Sequence, residues 1–443
     1  MPLKLTRNQI IIVAVVGFII LIVALMFFGV IPVKKTTPGG FSFGGGEGIE
    51  VSFWGIIDSE TFKGVIDEYQ KANKGINIEY TQFSEAEYEK ALLNALAAGK
   101  GPNIFMLHNT WLTKHFDKIM PIAESQLPFA QFRQMYPQVI EQDFILQSED
   151  KQSEDKSVIF ALPLYLDTLA LLYNRDFFDA KAIALAPKTW QDLNDLIPKL
   201  REINPQTNEI VKAGAAIGGS ELSVNKATDL LALLMLQSGA VMFDSESRQV
   251  DFGEKGTNAL NFYVQFANPL SANYTWSDNF RNSLDSFSEG NTAIIFNYAS
   301  AIPLLKTRNP FLSVGVSPML QLNKDRPVNY ASYWGLTTSK YSQQPALAWN
   351  FILYLTANPN VSEQFLKAVR LPPALRVLID KYLYDPDLGV FARQALTTRS
   401  WYQSDSTAIK RIFSNMIQSI LNGQLTSGDA LKKAENEIND LTK

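Results

Sequence analysis

The chain has 443 residues, 46% hydrophobic and 19% charged, which excludes wholesale disorder and is enough for two domains with separate cores. Cysteine is absent, which excludes disulfides, thiolate metal sites, a cysteine nucleophile and a lipid anchor on an N-terminal Cys; with only His108 and His115, a histidine metal centre is disfavoured. The formal charge of −4 hides an asymmetry: setting aside Lys4, Arg7, Lys34 and Lys35, which all precede Glu47, leaves 36 basic against 44 acidic side chains, a net −8 that argues against nucleic acid as a partner.

Ile10 to Ile31 is an uncharged run of mostly Ile, Val, Leu and Phe. As a helix it spans roughly 33 Å, enough to cross a hydrocarbon core. It is longer than a signal-peptide apolar region, and Met26 to Pro32 lacks the small-residue cleavage pattern, so an uncleaved anchor in the lipid bilayer is expected. Residues 1–9 would then be a cytoplasmic N-terminus, 10–31 a single transmembrane helix and 32–48 a Gly-rich flexible linker. Lys4 and Arg7 on one side and Lys34 and Lys35 on the other give only a slight charge preference for that orientation.

Beyond the linker, Glu50–Trp54 reads as a strand, Ser59–Asn73 as an amphipathic helix and Ile76–Gln82 as a second strand. Glu85–Ala98 is a helix ended by Gly99, and Asn103–Leu107 is a buried strand. This β-α-β-α-β succession predicts a mostly parallel, doubly wound sheet, with ligands bound at the carboxyl ends of strands. Gln147 to Lys156, a near-repeat of QSEDK, reads as a solvated loop. Val158–Tyr165 and Leu169–Asn174 are extended and apolar, and Thr189 is placed to cap a helix opening at Trp190. Ala227–Ser238 is a very apolar helix. Thr292–Asn297 and Val314–Pro318 are extended, and the remainder is helical over Ala346–Thr356, Ser362–Val369, Ser406–Leu421 and Ser427–Leu441.

Several short motifs follow one another in a telling order: Gly101-Pro102-Asn103-Ile104, Leu172-Tyr173-Asn174-Arg175, Pro187-Lys188-Thr189-Trp190 and Phe287 to Ala293. Val314 to Pro318, Trp334-Gly335-Leu336 and Leu371-Pro372 continue it. The series resembles the family-1 extracellular solute-binding proteins, the group that includes the maltose-binding protein. The resemblance implies an α/β, two-lobed periplasmic-binding-protein-like fold (type II), each lobe a mostly parallel sheet flanked by helices. Residues 47–162 and 318–358 would form the N-lobe and 166–314 and 359–443 the C-lobe, crossing near Leu162–Leu166, Val314–Pro318 and Ala357–Asn360. It also implies an extracytoplasmic, non-enzymatic monomer that closes on a small polar ligand and delivers it to ABC transporter permease subunits.

That ligand is expected to be a sugar, which needs aromatic faces for its C–H surfaces and planar polar groups for its hydroxyls. By resemblance, Trp54 and Asp58 after the first strand match ligand-contacting positions, and Asp167 falls where relatives carry a binding Glu. His108, Asn109, Thr110 and Trp111 follow the NIFML strand, with Asn109 and Trp111 the favoured pair; relatives often have Asp at Thr110. Tyr298 ends the TAIIFN strand, Tyr333 and Trp334 precede another, and Trp401 is a candidate platform on the C-lobe. A receptor or sensor for a peptide or polyamine and a membrane-anchored glycoside hydrolase are the alternatives; the hydrolase needs two carboxylates about 5–9.5 Å apart. No cofactor is indicated: Gly218-Gly219-Ser220 lacks a nucleotide fingerprint, and Asp385 to Gly389 lacks the late bidentate Glu of a calcium loop.

Overall fold

The computed structural model describes residues 48–147, 157–207 and 209–441. The apolar run 10–31, expected to span a membrane, the expected linker up to Glu47 and most of the QSEDK repeat lie outside them. Among the described residues no helix is long and apolar enough to cross a membrane.

Local pattern and observed element agree closely at the start of the body. Helix Ser59–Ala72 is capped by Asp58, whose side chain accepts the Glu60 N–H, and buries Phe62, Val65, Ile66 and Tyr69 at helical spacing. Strand Ile104–His108 is buried through Leu107, fitting a central sheet position. Strands Ile76–Gln82, Ile49–Gly55 and Ile104–His108 lie side by side and parallel.

The expected mostly parallel sheets are corrected by what comes next. Strand Trp334–Ser339 pairs antiparallel with Ile104–His108, and also with Ile119–Met120 and Leu162–Pro163. It enters from the other lobe, so it leaves the cleft where its neighbours run toward it; Trp334 sits opposite His108. In the second lobe, Ala170–Asn174 is flanked by Ile294–Asn297 and Val314–Ser317, both antiparallel, with a parallel bridge from Ala213 to Thr292. Both sheets are therefore mixed or antiparallel, because the connecting segments return between lobes.

Two hydrophobic cores result. The first gathers residues between Val51 and Leu166 and between Ala331 and Ile379, with Ala395. The second gathers those between Leu169 and Leu320, Tyr330, and those between Tyr382 and Ile438. The boundaries differ from the expected ones in two places. Met319, Leu320 and Tyr330 remain in the second core. Helix Pro359–Val369 stays in the first, since Val361, Phe365 and Leu366 form its buried face and Phe365 stacks on Phe62 at 5.2 Å.

The first two crossings run together. Leu169 N–H donates to the Tyr330 carbonyl at 2.9 Å and Ser332 N–H to the Asp167 carbonyl at 3.1 Å. Thr398–Arg399 adds to this seam as a parallel partner of Asn329–Tyr330.

Candidate functional site

The cleft between the cores lies where strands of the first sheet end toward the second lobe. Two cavities of about 620 and 440 Å³ meet there, sharing Glu85, His108, Lys226, Ser332 and Trp334. A third, of about 540 Å³, adjoins the first through Thr110 and Gln403.

One wall is a cluster of rings set by strand register. Trp334 meets Trp111 edge-on at 5.0 Å, His108 at 5.1 Å and Tyr88 at 5.8 Å, while Tyr88 stacks on Trp111 at 6.2 Å. Tyr88 Oη donates to the Met106 carbonyl at 2.9 Å, tying the rings to the sheet. His108 Nδ1 lies 2.8 Å from Thr110 Oγ1 and Nε2 lies 3.1 Å from Ser332 Oγ. Burial, with the Lys226 ammonium adding to it, pushes the His108 pKa down to about 3, so the imidazole is neutral at physiological pH.

The opposite wall is charged. Lys226 has a left-handed backbone, φ 69°, immediately before helix Ala227–Ser238, and its ammonium lies 5.5 Å from the Tyr298 ring centroid. Tyr298 Oη donates to Asp229 Oδ2 at 2.9 Å. Burial raises the Asp229 pKa, against the pull of Lys226. Glu221 accepts the Thr228 N–H at 2.8 Å and faces Lys410 at 3.2 Å, while Thr228 Oγ1 is buried without a hydrogen-bond partner.

A bridge joins the walls. Lys114 lies 2.9 Å from Glu89 in its own lobe and 3.0 Å from Asp405 in the other. Beside it, Thr113 Oγ1 donates to the Gln403 carbonyl at 2.9 Å. The hydrogen bond from His115, with the Lys114 ammonium adding to it against partial burial, holds the Glu89 pKa down at about 2.

The candidates from sequence divide three ways. Trp111 and Trp334 line the largest cavity; Asp58, Tyr298 and Trp334 line the second; Asn109 and Trp401 line the third. Trp54, Asp167 and Tyr333 lie outside all three. Trp54 packs on Phe83 at 4.8 Å. Tyr333 is fully buried and donates to Asp143 Oδ2 at 2.7 Å; Asn109 Nδ2 donates to the same oxygen at 3.0 Å, and Ser400 Oγ donates to Oδ1 from the seam. Burial pushes the Asp143 pKa up to about 6 against these bonds.

Asp167 clasps the junction between the two cores. Its carboxylate accepts the N–H groups of Thr168 and Ala299, each at 2.9 Å, and of Ser300 at 3.0 Å. Burial raises its pKa to about 6 despite these donors. The charged members Glu85, Glu89, Glu221, Lys226, Asp229 and Lys410 escaped the sequence reading. Only the helix start at Glu85 offered a local signal; the others are joined by tertiary folding alone. Among the described residues no group of three His, Asp or Glu is placed to hold a metal.

Residues 55–361 match the family model for the bacterial extracellular solute-binding protein. The chain belongs to this family. A relative from Pyrococcus abyssi, named a maltotriose-binding protein, is 24% identical over 338 residues; the match covers 74% of this chain and 66% of that protein, just under two thirds of its length. A probable ABC transporter-binding protein from Deinococcus radiodurans is 22% identical over 76% of this chain and 79% of its own. Among solved family structures, an ABC transporter solute-binding protein from Thermotoga lettingae bound with α-D-tagatose superposes with TM-score 0.72 at 20% identity, covering 89% of this chain and 100% of that one. A cyclo/maltodextrin-binding protein complexed with maltotetraose gives 0.70 at 18% identity, covering 89% and 98%. At these identities the likeness shows the solute-binding fold.

Proposed function

We propose that this solute-binding protein is a carbohydrate receptor that closes its two lobes on the ligand and passes it to the membrane subunits of an ABC importer. The observation that carries the reading is the pairing of unlike walls across one cleft. Trp334 and Trp111 offer apolar ring surface suited to the C–H faces of a sugar, and Lys226, Asp229 and Ser332 offer donors and acceptors for hydroxyls. A cavity of about 620 Å³ suits a small polar ligand. The charges do not favour a cationic peptide or polyamine, since Glu89 is compensated by Lys114 and Glu221 by Lys410. The relatives' names, maltotriose-binding among them, support the sugar class.

In the same reading, residues 10–31 hold the protein in the membrane with the N-terminus in the cytoplasm and the receptor body outside, acting as a monomer without catalysis. The apolar length of that run and the absence of an anchoring Cys support it.

A thermal-shift screen of the full chain against mono- and oligosaccharides, peptides and polyamines tests the ligand class, because a ligand of the folded state raises Tm. At least one sugar series is expected to raise it. A rise with a polyamine or peptide and with no sugar overturns the carbohydrate reading. For the anchor, N-terminal sequencing of membrane-extracted protein should return the unprocessed N-terminus; a chain starting after Pro32 overturns it.

A further inference from the structure

Behind the ring wall, the Asp143 carboxylate gathers three donors from three separate segments. Asn109 Nδ2 donates to Oδ2 at 3.0 Å, Tyr333 Oη donates to the same oxygen at 2.7 Å, and Ser400 Oγ donates to Oδ1. Each donor stands just ahead of side chains that line the largest cavity: Asn109 precedes Thr110 and Trp111, Tyr333 precedes Trp334, and Ser400 leads through Trp401 to Gln403. The first two segments are also tied to each other. The Asn109 N–H donates to the Tyr333 carbonyl at 3.0 Å, and the Tyr333 N–H donates to Asn109 Oδ1 at 3.3 Å. The third belongs to the core of the second lobe through Trp401, and its Gln403 carbonyl accepts Thr113 Oγ1 from the first.

One acceptor thus serves donors on three segments, and a charged acceptor makes such bonds shorter and stronger than a neutral one does. Without it the donors lose their shared partner and the segments their common anchor. The carboxylate is held by hydrogen bonds and, among the described residues, by no ion pair. The titratable groups facing it are the hydroxyls of Tyr333 and, from the seam, Tyr330, both kept neutral by burial. His108 on the neighbouring strand is neutral, Glu141 on the same helix is engaged by Arg133 at 2.6 Å, and Arg399 beside Ser400 is exposed. Asp143 also lines the third cavity, so protons can reach it, and burial has already brought its pKa to about 6.

We propose that Asp143 is the positioning residue of the binding site: its carboxylate sets Trp111 and Trp334 from behind and couples their placement, through Ser400, to the second lobe. This role rests on the receptor reading and adds regulation to it, because losing the negative charge loosens the ring wall. Ligand affinity is then highest at neutral pH and falls as pH drops through about 6, where Asp143 takes up a proton. The protonated acid keeps one oxygen to accept from Asn109 and Tyr333 and turns its new hydroxyl to Ser400. Affinity therefore levels off in acid and does not vanish.

The test is calorimetric titration of the full chain with maltotriose and with mannotriose, from pH 7.5 to pH 5, on wild type, Asp143→Asn and Asp143→Ala. At pH 7.5 Asp143→Ala should bind about tenfold or more weaker than wild type. Asp143→Asn, which copies the protonated acid, should bind about threefold to fivefold weaker. Wild-type affinity should fall toward that of Asp143→Asn as pH drops. Asp167 and Asp229 remain in both proteins, so the difference between the two curves belongs to Asp143. Near-UV circular dichroism of the unliganded proteins follows the ring cluster directly. The wild-type spectrum should titrate near pH 6 and that of Asp143→Asn should not. Tm of each protein reports folding, and Asp143→Asn carries the comparison if Asp143→Ala does not fold. Unchanged affinity in a folded Asp143→Ala, or parallel pH curves for wild type and Asp143→Asn, overturns the positioning role and leaves the carbohydrate reading standing. If neither sugar binds, the spectra decide: identical titrations of wild type and Asp143→Asn overturn the role. Silence of every sugar in the thermal screen overturns the carbohydrate reading by itself.

Discussion

The wall that the first lobe presents to the cleft is a knot of rings on strand ends; the wall opposite is a set of charges on helix starts and loops. In the first, Trp334, His108 and Trp111 are fixed by sheet register and by contact with one another. In the second, Lys226, Asp229, Glu221 and Lys410 come from separate segments and hold position through hydrogen bonds and ion pairs. The ring wall gains its order from packing that also stabilises the lobe. The charged wall is held partly against local preference, with Lys226 in a backbone region that costs an L-residue about 1–2 kcal/mol.

The largest effect should separate the two. Trp334→Ala removes a ring that is 6% exposed and touches three others, so it should cost roughly 3 kcal/mol of unfolding free energy. It should also weaken sugar binding more than tenfold; denaturant melts and calorimetric titration read the two effects. If stability is unchanged, the ring wall is not a packed unit and the comparison fails.

Lys226 gives the opposite pattern. Lys226→Gly adopts the left-handed backbone without strain and should be more stable than Lys226→Met by up to about 1 kcal/mol. Both variants should lose ligand affinity to a similar extent. A glycine variant less stable than the methionine one would show that the left-handed backbone at this position carries no strain that glycine relieves.

The smallest effect concerns the bridge between the walls. The Glu89 pKa in the folded protein is depressed from 4.5 to about 2. Its contribution to stability is therefore present above about pH 4.5 and is lost as pH falls through about 2. Thermal melts from pH 5 to pH 2.5 should fall more steeply for wild type than for Glu89→Gln. Parallel curves would mean that the bridge contributes nothing to the folded state.

The same contrast explains what could be read from the chain alone. The first lobe announces itself because Glu50–Trp54, Ile76–Gln82 and Asn103–Leu107 alternate with helices, and Trp111 and Trp334 fall just beside strand ends where a cleft forms. Trp54 and Tyr333 meet the same rule and still miss the cleft, Trp54 packing half-buried on Phe83 and Tyr333 turning fully inward, because a strand end has two faces and only packing chooses between them. Asp167 lies at the expected crossing, but its carboxylate is consumed by the N–H groups of Thr168, Ala299 and Ser300. Lys226 and Lys410 lie far apart in sequence with ordinary neighbours, so no local pattern marks them. The third crossing lies later than the expected Ala357–Asn360, because Pro359–Val369 reads as a helix without showing which core its apolar face will join.

Strand Trp334–Ser339 gives the molecule a history in time as well as a shape. It pairs with three strands of the first lobe, all of which leave the ribosome before the second lobe begins. At ordinary elongation rates roughly ten to thirty seconds pass between the synthesis of Leu166 and that of Ser339. Throughout that interval the edge of Ile104–His108 has no partner, and pairing over so long a separation is slow to find. The nascent first lobe therefore stays open along that edge until its missing strand arrives.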